Sequence, residues 1–214
     1  MAIVIHPNIQ FSSFEDRDTF LSLVRDIAHE AKEKEPKCLA YCWTIPAEES
    51  SETPAPLRGL EVYVDEDALA EHRNGTAYKH MREVVASTGI LSRPKGGIPM
   101  YSPVGGFLGR TGGLEEVSSE EYFIVVEYTP KSPDVMNTVL KDSVFCREES
   151  DHILGALCFV PRGSELESPF TVFIRVSGAA SLPVVREKIQ QFEVHGIQRT
   201  GWWEGQGFGF FNEL

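Results

Sequence analysis

LEVYVDEDALAEHRNGTAYKH, residues 60–80, passes from an extended chain into a helix. Leu60, Val62 and Val64 alternate with Glu61 and Tyr63, the period of a strand with two unlike faces. Asp65 is a natural N-cap and predicts a helix from about Glu66, which Asn74-Gly75 interrupts. A second helical piece is predicted from about Thr76 to Ala86. His72 closes the first piece, and Tyr78 and His80 fall on the second. The stretch is either a working site or only a strand-to-helix corner.

Upstream, AIVIH (2–6) reads as a strand. Ser12 with Glu15 fits a capping box, after which Phe20, Leu21, Val24, Ile27, Ala28 and Ala31 recur at helical spacing until Pro36. CLAYCWTI (38–45) is a second strand, followed by a polar, Pro-rich loop over 46–58. Downstream, the Gly/Pro-rich run over 87–113 is expected to contain a fourth strand. The order is β-α-β-β-α-β, a ferredoxin-like unit. It then restarts. EYFIVVEY (121–128), ILGALCFVP (153–161), FTVFIRV (170–176) and the glycine-spaced GWWEGQGFGFF (201–211) read as strands, with helices expected after Ser132-Pro133 and over 181–192. Ile3 to Phe123 and Ser12 to Ser132 share one offset, and Pro46 to Pro161 a slightly shorter one, as in two copies with different loops. The predicted fold is α+β, with two tandem ferredoxin-like units at 1–112 and 118–214. Each unit has one bare sheet face. The expectation is that they pack sheet to sheet as an α/β barrel within one chain, with a cavity between sheet and helices or between sheets.

The 214 residues carry a net charge of −12, and no basic stripe suited to nucleic acid or an anionic membrane is visible. No apolar run approaches the ~18–20 residues of a membrane span. MAIVIHPNIQF has no basic leader. A soluble, cytoplasmic protein is expected. Cys38 and Cys42, on one side of a strand, would stand roughly 13 Å apart, too far for a disulfide. Free thiols are expected for these and for Cys146 and Cys158. The histidines have no metal-ligand spacing, and neither GxxxxGK, GxGxxG before a helix, HExxH nor GxSxG is present.

Glu35-Pro36-Lys37-Cys38-Leu39-Ala40-Tyr41 after a helix, then Glu61-Val62-Tyr63, Asp67-Ala68-Leu69-Ala70-Glu71-His72 and Tyr78, resemble the characteristic run of the antibiotic biosynthesis monooxygenase domain, in the dimeric α/β-barrel superfamily. Lys37 departs from the family pattern, which has Gly there. The resemblance covers about residues 1–90. The second half follows in element order alone, and FIRVSGAASLPVVREKIQ holds neither His nor Tyr. The resemblance implies a dimeric-type barrel, here within one chain and with a degenerate second copy. It also implies cofactor-independent oxygenation of a hydrophobic phenolic or polyketide-type molecule, or related isomerase, cyclase or decarboxylase chemistry. Heme-handling and stress-response barrels share the superfamily.

His72, with an ordinary pKa near 6.5, could take a phenolic or C–H proton, or could only fix the Asn74-Gly75 turn. His6, at the end of the first strand, is the other candidate base. Tyr78 and Tyr63 are expected to hold the developing oxyanion. Glu61 and Tyr63 form the polar-aromatic face of their strand, which suits helices on one face and a pocket on the other. Trp43 is expected to share a strand face with Leu39, Tyr41 and Ile45. That face is an aromatic pocket wall, or ordinary core if helices cover it. Trp202 and Phe210 lie on the last strand, which is expected to cross to the first copy's sheet and close its pocket. The implied partner is a small aromatic substrate, with no metal, cofactor, nucleic acid or membrane. Whether two chains form a homodimer stays open.

Overall fold

The computed structural model describes residues 1–47, 54, 56–91, 98–129, 134, 137–138, 141, 152–164, 168–191 and 197–212. The chain runs β1 (Ile3–Ile5), β2 (Asn8–Ile9), α1 (Phe14–Lys34), β3 (Cys38–Pro46), β4 (Leu57–Tyr63), α2 (Glu66–Asn74), α3 (Thr76–Thr88), β5 (Met100–Phe107) and β6 (Glu115–Glu116). It continues with β7 (Tyr122–Tyr128), β8 (Ile153–Pro161), β9 (Phe170–Val176), α4 (Leu182–Gln191) and β10 (Ile197–Phe211). Of the helix expected after Ser132-Pro133, Asp134, Asn137, Thr138 and Lys141 are described and helical; its other residues, and Cys146, lie outside the described residues.

Every pairing is antiparallel, and the strands close on themselves. β1 joins β4 and β5; β5 joins β8, β8 joins β9, and β9 joins β7; β7 joins β10, β10 joins β3, and β3 joins β4. β2 extends the edge of β4, and β6 that of β10. Read around the ring, β5-β1-β4-β3 is a ferredoxin-like unit, with its last strand beside its first and its third beside its second. β10-β7-β9-β8 repeats that order. Each unit's last strand pairs with the other's second strand, so the two halves form one barrel.

Strand alternation divides the apolar residues into an inside and two outsides. Val4, Cys42, Leu60, Val62, Phe123, Leu157, Phe159 and Phe173 fill the barrel. Ile3, Ile5, Tyr41, Trp43 and Tyr63 face outward under α1, α2 and α3. Ile124, Val126, Ala156, Cys158, Val172, Ile174 and Val176 face outward in the second unit, with Val185 and Ile189 of α4 over them. No helix among the described residues is long and apolar enough to cross a membrane.

The register corrects several sequence expectations. Ile3 faces Tyr63 on β4, and Tyr122 faces Val176 on β9. Ile3 therefore corresponds to Tyr122, one residue short of the match with Phe123, and a one-residue slip in a strand exchanges its faces. A bulge between Cys38 and Ala40 breaks the alternation of β3. It sends Leu39 into the barrel with Cys42, while Cys38 packs outside. Leu39 thus leaves the face of Tyr41 and Trp43, and Cys38 and Cys42 occupy opposite faces; both are free and buried. The cap of α1 is Ser13, one residue later than expected, with its hydroxyl accepting from the Asp16 N–H at 3.1 Å.

Two glycines fix the seams between the units. Gly106 of β5 faces Leu157 and Gly209 of β10 faces Cys42, at equivalent places in the two units. Their φ angles are 115° and 118°. A Cβ would lie 2.0 Å from the Ala156 carbonyl oxygen at Gly106, and 2.5 Å from that of Tyr41 at Gly209. Only glycine tolerates both the angle and the approach.

Candidate active site

A cavity of about 620 Å³ lies between the first unit's sheet and its helices. Ile5, Tyr41, Trp43 and Glu61 form its floor. Phe20 and Val24 of α1, Leu69 and His72 of α2, and Tyr78, Met81 and Val85 of α3 form its roof, with the exposed Arg73 and Arg82 completing the lining. Such a space takes a ligand of a few fused rings.

Local rules hold the roof in place. The Asp65 carboxylate accepts the Ala68 N–H at 2.8 Å and caps α2. α3 has no side-chain cap of its own, and the Glu30 carboxylate of α1 accepts the Ala77 N–H instead. That bond, ahead of Lys34, holds the Glu30 carboxyl below its usual range. The corner carrying His72 is thereby tied to α1.

His72 is 1% exposed, with the rings of Tyr41, Tyr63 and Tyr78 centred 5.6, 5.2 and 5.2 Å away. Its Nδ1 is 2.8 Å from Glu35 Oε2. A carboxylate only accepts, so Nδ1 carries the hydrogen and Nε2 of the neutral ring presents a lone pair. Nε2 is buried and has no hydrogen-bond partner among the described residues. The Trp43 indole N–H, across the cavity on β3, is in the same condition. It lies near the Tyr41 hydroxyl; burial and the Glu61 charge push the pKa of that hydroxyl up, and the indole N–H draws it partly back. The Tyr63 hydroxyl donates to Glu61 Oε2 at 3.0 Å. Burial pushes the Glu61 carboxyl up, with the His72 ring and the Tyr63 hydroxyl pulling it partly back. Burial also raises the Tyr41 and Tyr63 hydroxyls well above their ordinary range, so both stay protonated donors near neutrality. The arrangement can accept a proton at His72 Nε2 and stabilise the imidazolium through Glu35.

The structure brings His72, Tyr78, Tyr41, Trp43 and Glu61 together on one cavity. Helices and cavity share the outward face of the sheet, so Tyr41 and Trp43 are at once core and wall. Tyr63 lies beside His72 but is fully buried, and its hydroxyl is engaged by Glu61. Phe210 faces Tyr41 across the seam and packs in the core beside the cavity. Trp202 lies on β10 opposite Ile124, within the second unit's sheet. β10 does cross to β3, as expected of the last strand.

His6 is not at this cavity. Ile5 takes the outward face of β1, and His6 turns the other way, against Phe159 and Phe173. Its Nδ1–H donates to the Gly59 carbonyl at 2.7 Å, and its Nε2 lies 3.1 Å from Arg58 Nη1. Burial, and then the Arg58 charge, hold its pKa down at about 3. Both nitrogens are engaged beside a second cavity of about 450 Å³, which Tyr101 and Glu127 also line.

Sequence reasoning missed Glu35 as a partner of His72. Its signal was an acid at a helix end, just before Pro36, but nothing local links it to a histidine on another helix. Among the described residues no group of three or more His, Cys, Asp or Glu is placed to hold a metal ion.

Residues 13–84 match the model of the antibiotic biosynthesis monooxygenase family. Among solved structures, a candidate monooxygenase from Lactobacillus acidophilus NCFM superposes with a TM-score of 0.76 at 9% identity, over 100% of this chain and 98% of that one. A second candidate monooxygenase, from Fusobacterium nucleatum, gives 0.70 at 13% identity, over 100% and 98%. An anthrone oxidase-like protein gives 0.57 at 9% identity, over 95% and 90%. No curated protein matches the sequence. At these identities the structural likeness carries the fold: a whole barrel built from one chain.

Proposed function

With residues 13–84 an antibiotic biosynthesis monooxygenase-type domain, we propose that the chain is a cofactor-independent oxygenase of a flat, hydrophobic, phenolic or polyketide-type molecule. The single observation that carries this reading is the buried His72–Glu35 pair, whose Nε2 has no partner beside an apolar-walled cavity. Further support comes from the likeness to an anthrone oxidase-like protein. We assign the first unit to residues 1–112 and the second, a degenerate copy, to 118–214.

The substrate lies between floor and roof, walled by Phe20, Val24, Leu69 and Met81. His72 Nε2 removes an acidic proton, and Glu35 holds the imidazolium at Nδ1. The electron-rich anion gives an electron to O2, the radical pair joins as a peroxide anion, and the His72 imidazolium returns its proton to make the hydroperoxide. That species loses water to leave a ketone. One oxygen atom enters the product and one leaves in water, and the substrate itself supplies the electrons. Tyr78 steers the ring plane from the roof.

The test is to incubate the protein with anthrones and hydroquinones, without added flavin or metal, and follow O2 uptake and product mass. The expected result is O2 consumption with one oxygen in the product, slowed by at least about 100-fold in His72→Gln. Conversion without O2 uptake would reassign the same pocket to isomerisation, cyclisation or decarboxylation. Turnover unchanged in His72→Gln would contradict the role of His72.

A further inference from the structure

One end of the barrel carries a buried charge that the oxygenase reading does not use. Leu57 of β4 faces outward and Leu60 inward, and alternation turns Arg58 toward the barrel's mouth. Arg58 is 5% exposed, yet it lines the second cavity of about 450 Å³. A guanidinium taken out of water calls for a countercharge. Its Nη1 is 3.1 Å from His6 Nε2, and Nη1 and Nη2 both donate to Glu127 Oε1 at 3.2 Å. His6 gives its Nδ1–H to the Gly59 carbonyl, so its Nε2 accepts from Arg58 and orients it without neutralising it.

Glu127 is a loose counterion. Both bonds end on one of its oxygens, whereas guanidinium and carboxylate pair best through two parallel bonds to two oxygens. Its side chain is 39% exposed, so it can turn out to solvent at little cost while Arg58 stays in the wall. The Tyr101 hydroxyl belongs to the same cavity. Burial, and then the Glu127 charge, push its pKa up, and the Arg58 charge pulls it partly back, so it stays a protonated donor near neutrality. Ile9 and Pro99 of the first unit and Pro161 and Phe170 of the second supply apolar wall.

We propose that this mouth binds a small carboxylate with an apolar body. Its carboxylate takes the place of Glu127 on Arg58 and accepts from the Tyr101 hydroxyl, and its hydrocarbon part lies against Pro161 and Phe170. One cation beside an apolar wall suits a singly charged head; a phosphate would leave charge unpaired. The site lies between the units at the barrel's end, whereas the His72 cavity lies under the helices of the first unit. Strand pairing equates Arg58 with Thr171 and Asn8 with Glu127, and all four line this cavity, which therefore sits on the approximate two-fold. Thr171 brings no charge, so each barrel takes one ligand.

The experiment titrates phenylacetate and its uncharged isostere phenylacetamide calorimetrically near neutral pH. The proteins are wild type, Arg58→Met, Glu127→Gln and the double variant Arg73→Met with Arg82→Met, which removes the exposed arginines of the first cavity. Wild type is expected to bind phenylacetate at least about tenfold more tightly than the amide. Arg58→Met is expected to lose at least about 30-fold for phenylacetate and little for the amide. Glu127→Gln is expected to gain about tenfold for phenylacetate, because the ligand no longer displaces an internal carboxylate. The double variant is expected to match wild type. Phenylacetate affinity unchanged or weakened in Glu127→Gln would overturn the proposal, and this half-exposed change decides the matter even if Arg58→Met does not fold. Loss of binding in the double variant alone would place the carboxylate in the first cavity and overturn it too, as would phenylacetate binding to neither wild type nor Glu127→Gln.

Discussion

The two units share a path and differ in what their outward faces carry. Strand pairing equates Tyr41 with Ala156, Trp43 with Cys158, Gly59 with Val172, Glu61 with Ile174 and Tyr63 with Val176. The first set floors a cavity with a histidine–carboxylate pair beside it. The second set is small and aliphatic, and closes on itself as core. In the second unit the buried charge lies inside the barrel instead. Arg175, at the place of Val62, donates to Glu121 at 2.6 and 2.9 Å and to Glu115 at 2.6 Å, beneath the Phe211 ring. The scaffold therefore permits a site without specifying one. A handful of outward strand positions, and the helix above them, make the difference.

The comparison breaks most sharply if its residues are exchanged. Ile174→Glu places the counterpart of Glu61 where no Tyr63 or His72 faces it. A buried carboxyl without partners is expected to cost at least about 3 kcal/mol in urea unfolding. A cost under about 1 kcal/mol would mean that the second face is as wet as the first. The seams come next. Gly106→Ala and Gly209→Ala are each expected to destabilise by roughly 2–3 kcal/mol, because each meets a backbone carbonyl at positive φ. Strongly unequal losses would contradict the internal two-fold symmetry of the barrel.

A smaller effect separates His6 from His72. The pKa of His6 is about 3 in the folded chain and near 6.5 unfolded, so the unfolded chain binds more protons between those values. Stability is full above about pH 6.5 and falls on acidification toward 3. Between about pH 7 and about pH 5 the loss from His6 is expected to be about 2 kcal/mol. His6→Gln should remove that slope when unfolding is followed across pH, and an unchanged slope would place the titration elsewhere. Cys158→Ala should cost only about 1 kcal/mol in thermal unfolding and leave turnover unchanged, whereas its counterpart Trp43 lines the cavity.

Much of this was legible in the chain. Hydrophobic period and caps located nearly every described element, Asp65 capped α2 as expected, and the shared ending of β3 and β8 in proline marked the duplication. A cavity between sheet and helices was one of two places expected, the other being between the sheets; the pocket expected on the face of β4 away from the helices lies instead on the helix-covered face. Bulges defeated the finer reading. One inserted residue near Leu39 moved it into the barrel, and a single-residue error equated Ile3 with Phe123 rather than Tyr122. Glu35 joins His72 across 37 positions, a contact that depends on how α1 and α2 lie over the sheet and on no local pattern. His6 looked available because alternation cannot say which face of a three-residue strand turns inward.

The central claim is that His72, in the first unit alone, removes a substrate proton. The most direct measurement is deuterium exchange at the acidic carbon of anthrone in D2O under nitrogen, where oxygen chemistry is silent. Wild-type protein is expected to accelerate exchange by at least about 100-fold over His72→Ala, with Ile174→Ala matching wild type. Exchange as fast in His72→Ala as in wild type would contradict the account.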